Sequence, residues 1–119
     1  MLKIAHHALY NHPLKKNHRF PMIKYELIPE QLIMENTCVE NNFFKPKIIS
    51  DENVLFTHDK LYFDKLQNQQ LDRKEIRAIG FPMSEKLIER EKTIVQGTVE
   101  CSLNSVSYTH LTLPTNDVV

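Results

Sequence analysis

Apolar positions follow two periods along the chain. "LKIAHHALY" (2–10) alternates, with Ile4, His6 and Ala8 on one face and Ala5, His7 and Leu9 on the other. Apolar residues on both faces predict a short strand in a sheet covered on both sides. The turn-like "NHP" closes it.

From Pro21 the pattern turns helical through Met22, Ile23, Glu26 and Leu27, then meets Pro29. Proline fits poorly inside a helix, so two short helices or one kinked helix are expected, with Pro29 in the first turn of the second part. Ile28, Leu32 and Ile33 give that part its apolar side, and "ENTCVENN" ends it. "FFKPKIIS" reads as extended. Ser50 is an N-cap with Asp51 and Glu52 in the first turn, where the helix dipole favours acids. Val54, Leu55 and His58 share a face of that brief helix. Asp59 caps the next helix, whose expected inner face is Leu61, Tyr62, Lys65 and Leu66. A helical turn over Asp72–Ile79 closes at Gly80. Ser84 then caps the clearest helix, in which Leu87, Ile88, Glu91, Ile94, Val95, Thr98 and Val99 recur at helical spacing. Gly97 inside it predicts close approach of another backbone. After about Ser105, "VSYTHLTLPTNDVV" has no helical period.

Length and charge narrow this picture. A chain of 119 residues holds one domain at most. Lys/Arg and Asp/Glu balance at 15 each, so no overall field favours nucleic acid or an acidic membrane. Residues 1–47 carry seven Lys/Arg against four Glu, too scattered for a phosphate stripe. Cys38 and Cys101 form no CxxC pattern. With no signal-peptide core, they fit a reducing cytoplasm. No apolar run reaches membrane-spanning length. Two glycines is few for an α/β enzyme, whose strand-to-helix turns and anion loops need more.

Several side chains invite chemistry. His6, His7, His12 and His18 suggest a metal, but His6 and His7 point oppositely in a strand, and no acid flanks His12 and His18. Lys15, Lys16, Arg19 and Lys24 suggest a phosphate contact, yet a solvated loop explains them better. His58-Asp59 looks like a catalytic pair, but Asp59 is accounted for as a cap, with His58 packing under Tyr62. Cys101 reads as a buried structural thiol. There is no GxSxG, P-loop or GxGxxG. The residues alone give one piece of an α/β protein.

Four blocks in order add to this: "KIAHHALY", "NHPLKKNHRFPMIKYELI", "ISDENVLFTHDKLYFDKL" and "GFPMSEKLIEREKTIVQGTVECSL". From about Lys3 to Ser105 the chain resembles the N-terminal part of the histone deacetylase family, most of all its bacterial deacetylase-like and acetoin-utilisation-protein-like members. The resemblance implies an incomplete three-layer α/β/α arginase/deacetylase-like fold with a mostly parallel sheet. It implies a zinc-dependent hydrolase acting on acetyl-lysine or a related N-acetyl amine, with no nucleic-acid or membrane partner. In that family zinc lowers the pKa of a bound water, two histidines move protons and a tyrosine steadies the oxyanion. The Asp-His-Asp ligands and those catalytic groups lie in glycine-rich loops beyond the helix ending here near Ser105. No catalytic or metal residue maps onto these 119 positions, so this fragment is expected to be inactive and to bind no zinc.

One role carries over. The family's arginine after "HP", in a channel implicated in acetate release, matches Arg19 in "HPLKKNHRFPM". A buried guanidinium suits a carboxylate product. Tyr10, His12 and Pro13 would share that channel wall. The family's acidic rim residue is not transferred to Asp72, because "LDRKEIRAIGFP" departs from the family loop. Residues 1–105 are thus read as the N-terminal part of a deacetylase-like domain. Residues 106–119 are read as a foreign tail resembling a translated sequencing adapter. The competing reading is a non-catalytic α/β interaction domain.

Overall fold

The computed structural model describes residues 2–112, with side chains described for residues 2–106. It is helix-rich, with a small parallel sheet of two strands, β1 (Ile4–Ala5) and β2 (Phe43–Phe44). Ile4 pairs with Phe43 and Ala5 with Phe44. His6 N–H extends the pairing to the Phe44 carbonyl at 2.9 Å. Asn42 fixes the register from outside: its Nδ2 donates to the Leu2 carbonyl and its Oδ1 accepts from Val39 N. The strand ends earlier than its alternation suggests. The His7 imidazole accepts from Leu9 N at 3.1 Å and starts a 3-10 turn over Ala8–Tyr10. A side-chain oxygen or nitrogen that satisfies a free N–H competes locally with strand pairing.

Parallel strands need a crossover, and here it carries α1 (Lys24–Met34). Pro29 lies within this single helix, as its sixth residue, rather than dividing it. No residue of α1 is buried, and Leu27, Ile28 and Met34 are exposed. The helix stops in a Schellman motif. Asn36 takes φ 60°, Asn36 N donates to Ile33 O, and Thr37 N donates to Leu32 O.

The remaining helices are α2 (Asp51–Leu55), α3 (Lys60–Gln67), α4 (Arg73–Ile79) and α5 (Glu85–Thr112). Their starts follow the sequence. Ser50 accepts from Asn53 N, Asp59 from Tyr62 N, and Ser84 from Leu87 N. Asp72 and Glu75 form a reciprocal capping box, and Gly80 closes α4 at φ 85°.

Three expectations are corrected. The buried residue of α3 is Phe63, at 4% exposure, whereas Leu61 is 71% exposed. Eight residues give little more than two turns, and a one-position shift in the face is decided by what α3 packs against. Gly97 is approached by side chains, not by backbone. A Cβ there would stand 2.6 Å from the Tyr10 hydroxyl and 3.2 Å from the Ala5 Cβ. Finally, α5 continues past Ser105 to Thr112. No glycine or proline occurs between Thr98 and Leu113, so nothing there breaks a helix already propagating.

The core gathers on α5. Leu87, Ile88, Arg90 and Thr93 are buried, against Tyr10 and Met22 from the N-terminal segment and Ile49, Phe63 and Leu71 from the middle. No helix among the described residues is long and apolar enough to cross a membrane.

Candidate functional site

The loop from Asn11 to Pro21 runs between Tyr10 and Met22, and both of those residues are buried. One guanidinium holds both ends. Arg90, only 3% exposed, donates from Nε to the Tyr10 carbonyl at 2.8 Å. Its second terminal nitrogen lies 3.5 Å from the Met22 sulfur. The first donates to Glu91 Oε1 at 2.6 Å. The guanidinium carbon also stands 5.2 Å from the Tyr25 ring centre and 6.0 Å from that of Phe81. The planar, delocalised cation tolerates such flat apolar surroundings better than an ammonium does.

Aromatic rings continue the contact in both directions. Phe43, His6, Tyr10, Tyr25, Phe20, Phe81 and His18 form an unbroken series, each within 6.3 Å of the next. The Phe20–Tyr25 pair is stacked, at 15° between planes. His18 ends the series with both nitrogens engaged. Nδ1 accepts from Phe20 N at 3.1 Å, so Nε2 carries the proton donated to the Gly80 carbonyl at 3.1 Å. The loop is thereby tied to the end of α4 as well as to α5.

Of the residues singled out from sequence, the structure brings Tyr10 and His12 against α5 and leaves Pro13 and Arg19 exposed. The buried guanidinium expected of Arg19 is Arg90's. Burial pushes the His12 pKa below its ordinary value. The Arg90 charge pushes the same way and Glu91 opposes it. Burial raises the Tyr10 hydroxyl, helped by Cys101 and Glu100 nearby.

Two depressions adjoin this region. One, of ≈ 620 Å³, is an open groove along α5 lined by Ala5, Tyr10, Gly97, Thr98 and Cys101. Cys101 is part-exposed there, not the buried thiol expected, while Cys38 is buried. The other, of ≈ 430 Å³, lies among α2, α3, α4 and α5, walled by Val54, Phe63, Leu66, Phe81, Leu87 and Ile88. His58 sits at its rim and is exposed, and Asp59 is engaged as a cap. Among the described residues, no three His, Cys, Asp or Glu side chains converge to hold a metal ion.

Sequence reasoning missed Arg90. The signal was faint: a charged residue on the apolar side of α5, three positions after Leu87 and seven before Gly97.

No family model matches the chain. It is similar to an uncharacterised protein of Picosynechococcus sp., with 27% identity over 96 residues, which is 81% of this chain and 32% of that protein. The chain therefore spans about a third of the length of the relative it matches.

Proposed function

We propose that this chain is the N-terminal portion of a zinc-dependent deacetylase of the histone deacetylase type, acting on acetyl-lysine or a related N-acetyl amine. The observation that carries the reading is the order of its four resembling blocks. Two features accord with it. β1 and β2 run parallel around a helical crossover, the way a larger parallel sheet begins. The relative is about three times as long as the matched region, which leaves room for a metal centre elsewhere in such a protein.

Among the described residues, no three side chains converge as zinc ligands. Their part is to wall the site. Arg90, Met22 and Tyr25 fix the loop, and Arg19 is carried on its outer side, where further polypeptide would enclose it. A guanidinium so enclosed would hold an acetate leaving the site through two parallel N–H···O bonds. The exposed Leu27, Ile28 and Met34 of α1 are apolar surface for that polypeptide to cover.

Reading the gene across codon 105 is the direct test. A frame continuing into a Gly-Gly-His-His segment and Asp-His-Asp ligands supports the proposal. The longer protein should then deacetylate an acetyl-lysine peptide and lose that activity to a chelator. A stop codon following Val119 in the native gene would defeat the proposal and leave an interaction domain.

A further inference from the structure

We infer that the loop between Tyr10 and Met22 is a strap, held shut by Arg90 and released by acid through His12. The strap would act whether or not the chain belongs to a deacetylase. It follows from which groups the fold places around one buried imidazole.

His12 is 7% exposed, two residues beyond the carbonyl that Arg90 grips. The charged groups bearing on it come mainly from α5: Arg90 and Lys86 as cations, Glu91 as the single carboxylate. From α1, Glu26 is occupied by the neighbouring Asn11, whose Nδ2 donates to it at 3.0 Å. Tyr10 and Tyr25 complete the surroundings near Arg90. Glu91 already accepts from Arg90 at 2.6 Å. While His12 is neutral, one carboxylate answers one buried cation. Once His12 is protonated, the same carboxylate, half-exposed, faces two buried cations side by side, and the exposed Lys86 adds only weakly to the excess. Opening the loop is the escape, because it returns the imidazolium to solvent.

The direction of the pH effect follows from linkage. Burial, then Arg90, hold the closed-state pKa of His12 below 6.5. Above 6.5 both closed and open loops carry neutral His12, and pH has no leverage. As pH falls below 6.5 the open loop takes the proton and the closed loop does not, so closure weakens until pH passes the closed-state pKa. The ratio of closed to open loop drops about tenfold for each unit by which the pKa is depressed, once pH lies below the closed-state value. Release uncovers Arg90 and the Tyr10 carbonyl.

The loop carries a second histidine that must be separated. His18 accepts from Phe20 N, and its protonation would break that bond. His6, which also has a lowered pKa, packs on Tyr10 from just past β1.

The experiment uses the whole 119-residue chain. Imidazole resonances are titrated by NMR, and amide exchange of residues 11–21 is compared at pH 7.5 and pH 5 after correction for intrinsic rates. His12 should titrate below 6.5, and the loop should lose protection at pH 5 by about tenfold for a depression of one unit and by about thirtyfold at most. The loss should vanish in His12→Gln and persist in His18→Gln and His6→Gln. Glu91→Gln removes the opposing carboxylate and should lower the His12 midpoint further, a readout that stands even where His12→Gln does not fold. A His12 midpoint at or above 6.5 overturns the strap, as does a midpoint indifferent to Glu91→Gln. An acid response that survives His12→Gln or disappears in His18→Gln does so too.

Discussion

Arg90 Nε and the Tyr10 carbonyl meet at 2.8 Å across eighty positions of sequence, both shut away from water. A buried carbonyl left without a donor loses its hydrogen bond and regains none from solvent. Arg90→Met, which keeps most of the volume, is expected to cost about 1–3 kcal/mol in urea unfolding. Arg90→Ala should cost more, since it adds a cavity. Arg19→Ala, on the exposed side of the same loop, should stay within about 0.5 kcal/mol of the parent. Equal losses at the two arginines would contradict the assignment of Arg90 as the clamp.

Gly97 is the second point of close fit. Alanine normally gains about 1 kcal/mol over glycine inside a helix. Here the new methyl would stand 2.6 Å from the Tyr10 hydroxyl, so Gly97→Ala should instead destabilise by about 1–3 kcal/mol. Removing the hydroxyl relieves the worst contact. In a Tyr10→Phe background the same glycine substitution should therefore cost less, which a double-mutant cycle of melting curves will read. The 3.2 Å approach to Ala5 keeps the rescue partial.

Within α3, Phe63 and Leu61 should behave oppositely. Phe63→Ala empties a core position and is expected to cost about 3–5 kcal/mol. Leu61→Ala removes an exposed side chain and should change stability by about 0.5 kcal/mol at most. Chemical denaturation of the two variants distinguishes this face from the one that helical periodicity alone suggests.

The link between α3 and α4 has a pH signature of the opposite kind of group. Lys65 Nζ lies 2.8 Å from Glu75 Oε1. The Lys65 hydrogen bond, then the Asp72 N–H, hold the Glu75 pKa below its ordinary value. A carboxylate with a depressed folded pKa contributes fully above 4.5 and loses that contribution as pH falls through the folded value. Glu75→Gln should thus leave a shallower loss of stability below pH 4.5, with a smaller effect in strong salt, because a part-exposed pair is screened. A calorimetric series in pH and ionic strength tests both.

How far the sequence disclosed this molecule depended on the range of the interaction concerned. Ser50, Asp59, Gly80 and Ser84 were legible because a cap is written within four residues of the bond it makes, whereas Asp72 was read as part of its helical turn and is instead its cap. The short strand at Ile4 was legible in place but not in length, because the His7 cap cut it off. The inner face of α3 was misread, since eight residues leave the helical phase open and the packing partner settles it. Arg90 was invisible for the strongest reason. A charge on a helix normally marks the wet side, and the inside is made tenable by the adjacent Glu91 together with partners some seventy and eighty residues upstream, Met22 and the Tyr10 carbonyl. Within the candidate site, Tyr10 and His12 were picked out and are buried, while Pro13 and Arg19 face outward. The reading that joined all four into one wall drew on a resemblance and not on the physical pattern of these positions.

The series of rings from Phe43 to His18 has a practical consequence. The chain has no tryptophan and four tyrosines, so ultraviolet emission comes from phenols alone. Two of them, Tyr10 and Tyr25, meet edge to face at 6.0 Å at the centre of that series, with a guanidinium 5.2 Å from one. Any movement of the loop alters the quenching environment of both. The protein is therefore built with its own optical reporter at the place where it is expected to move, and unlabelled material suffices to watch it.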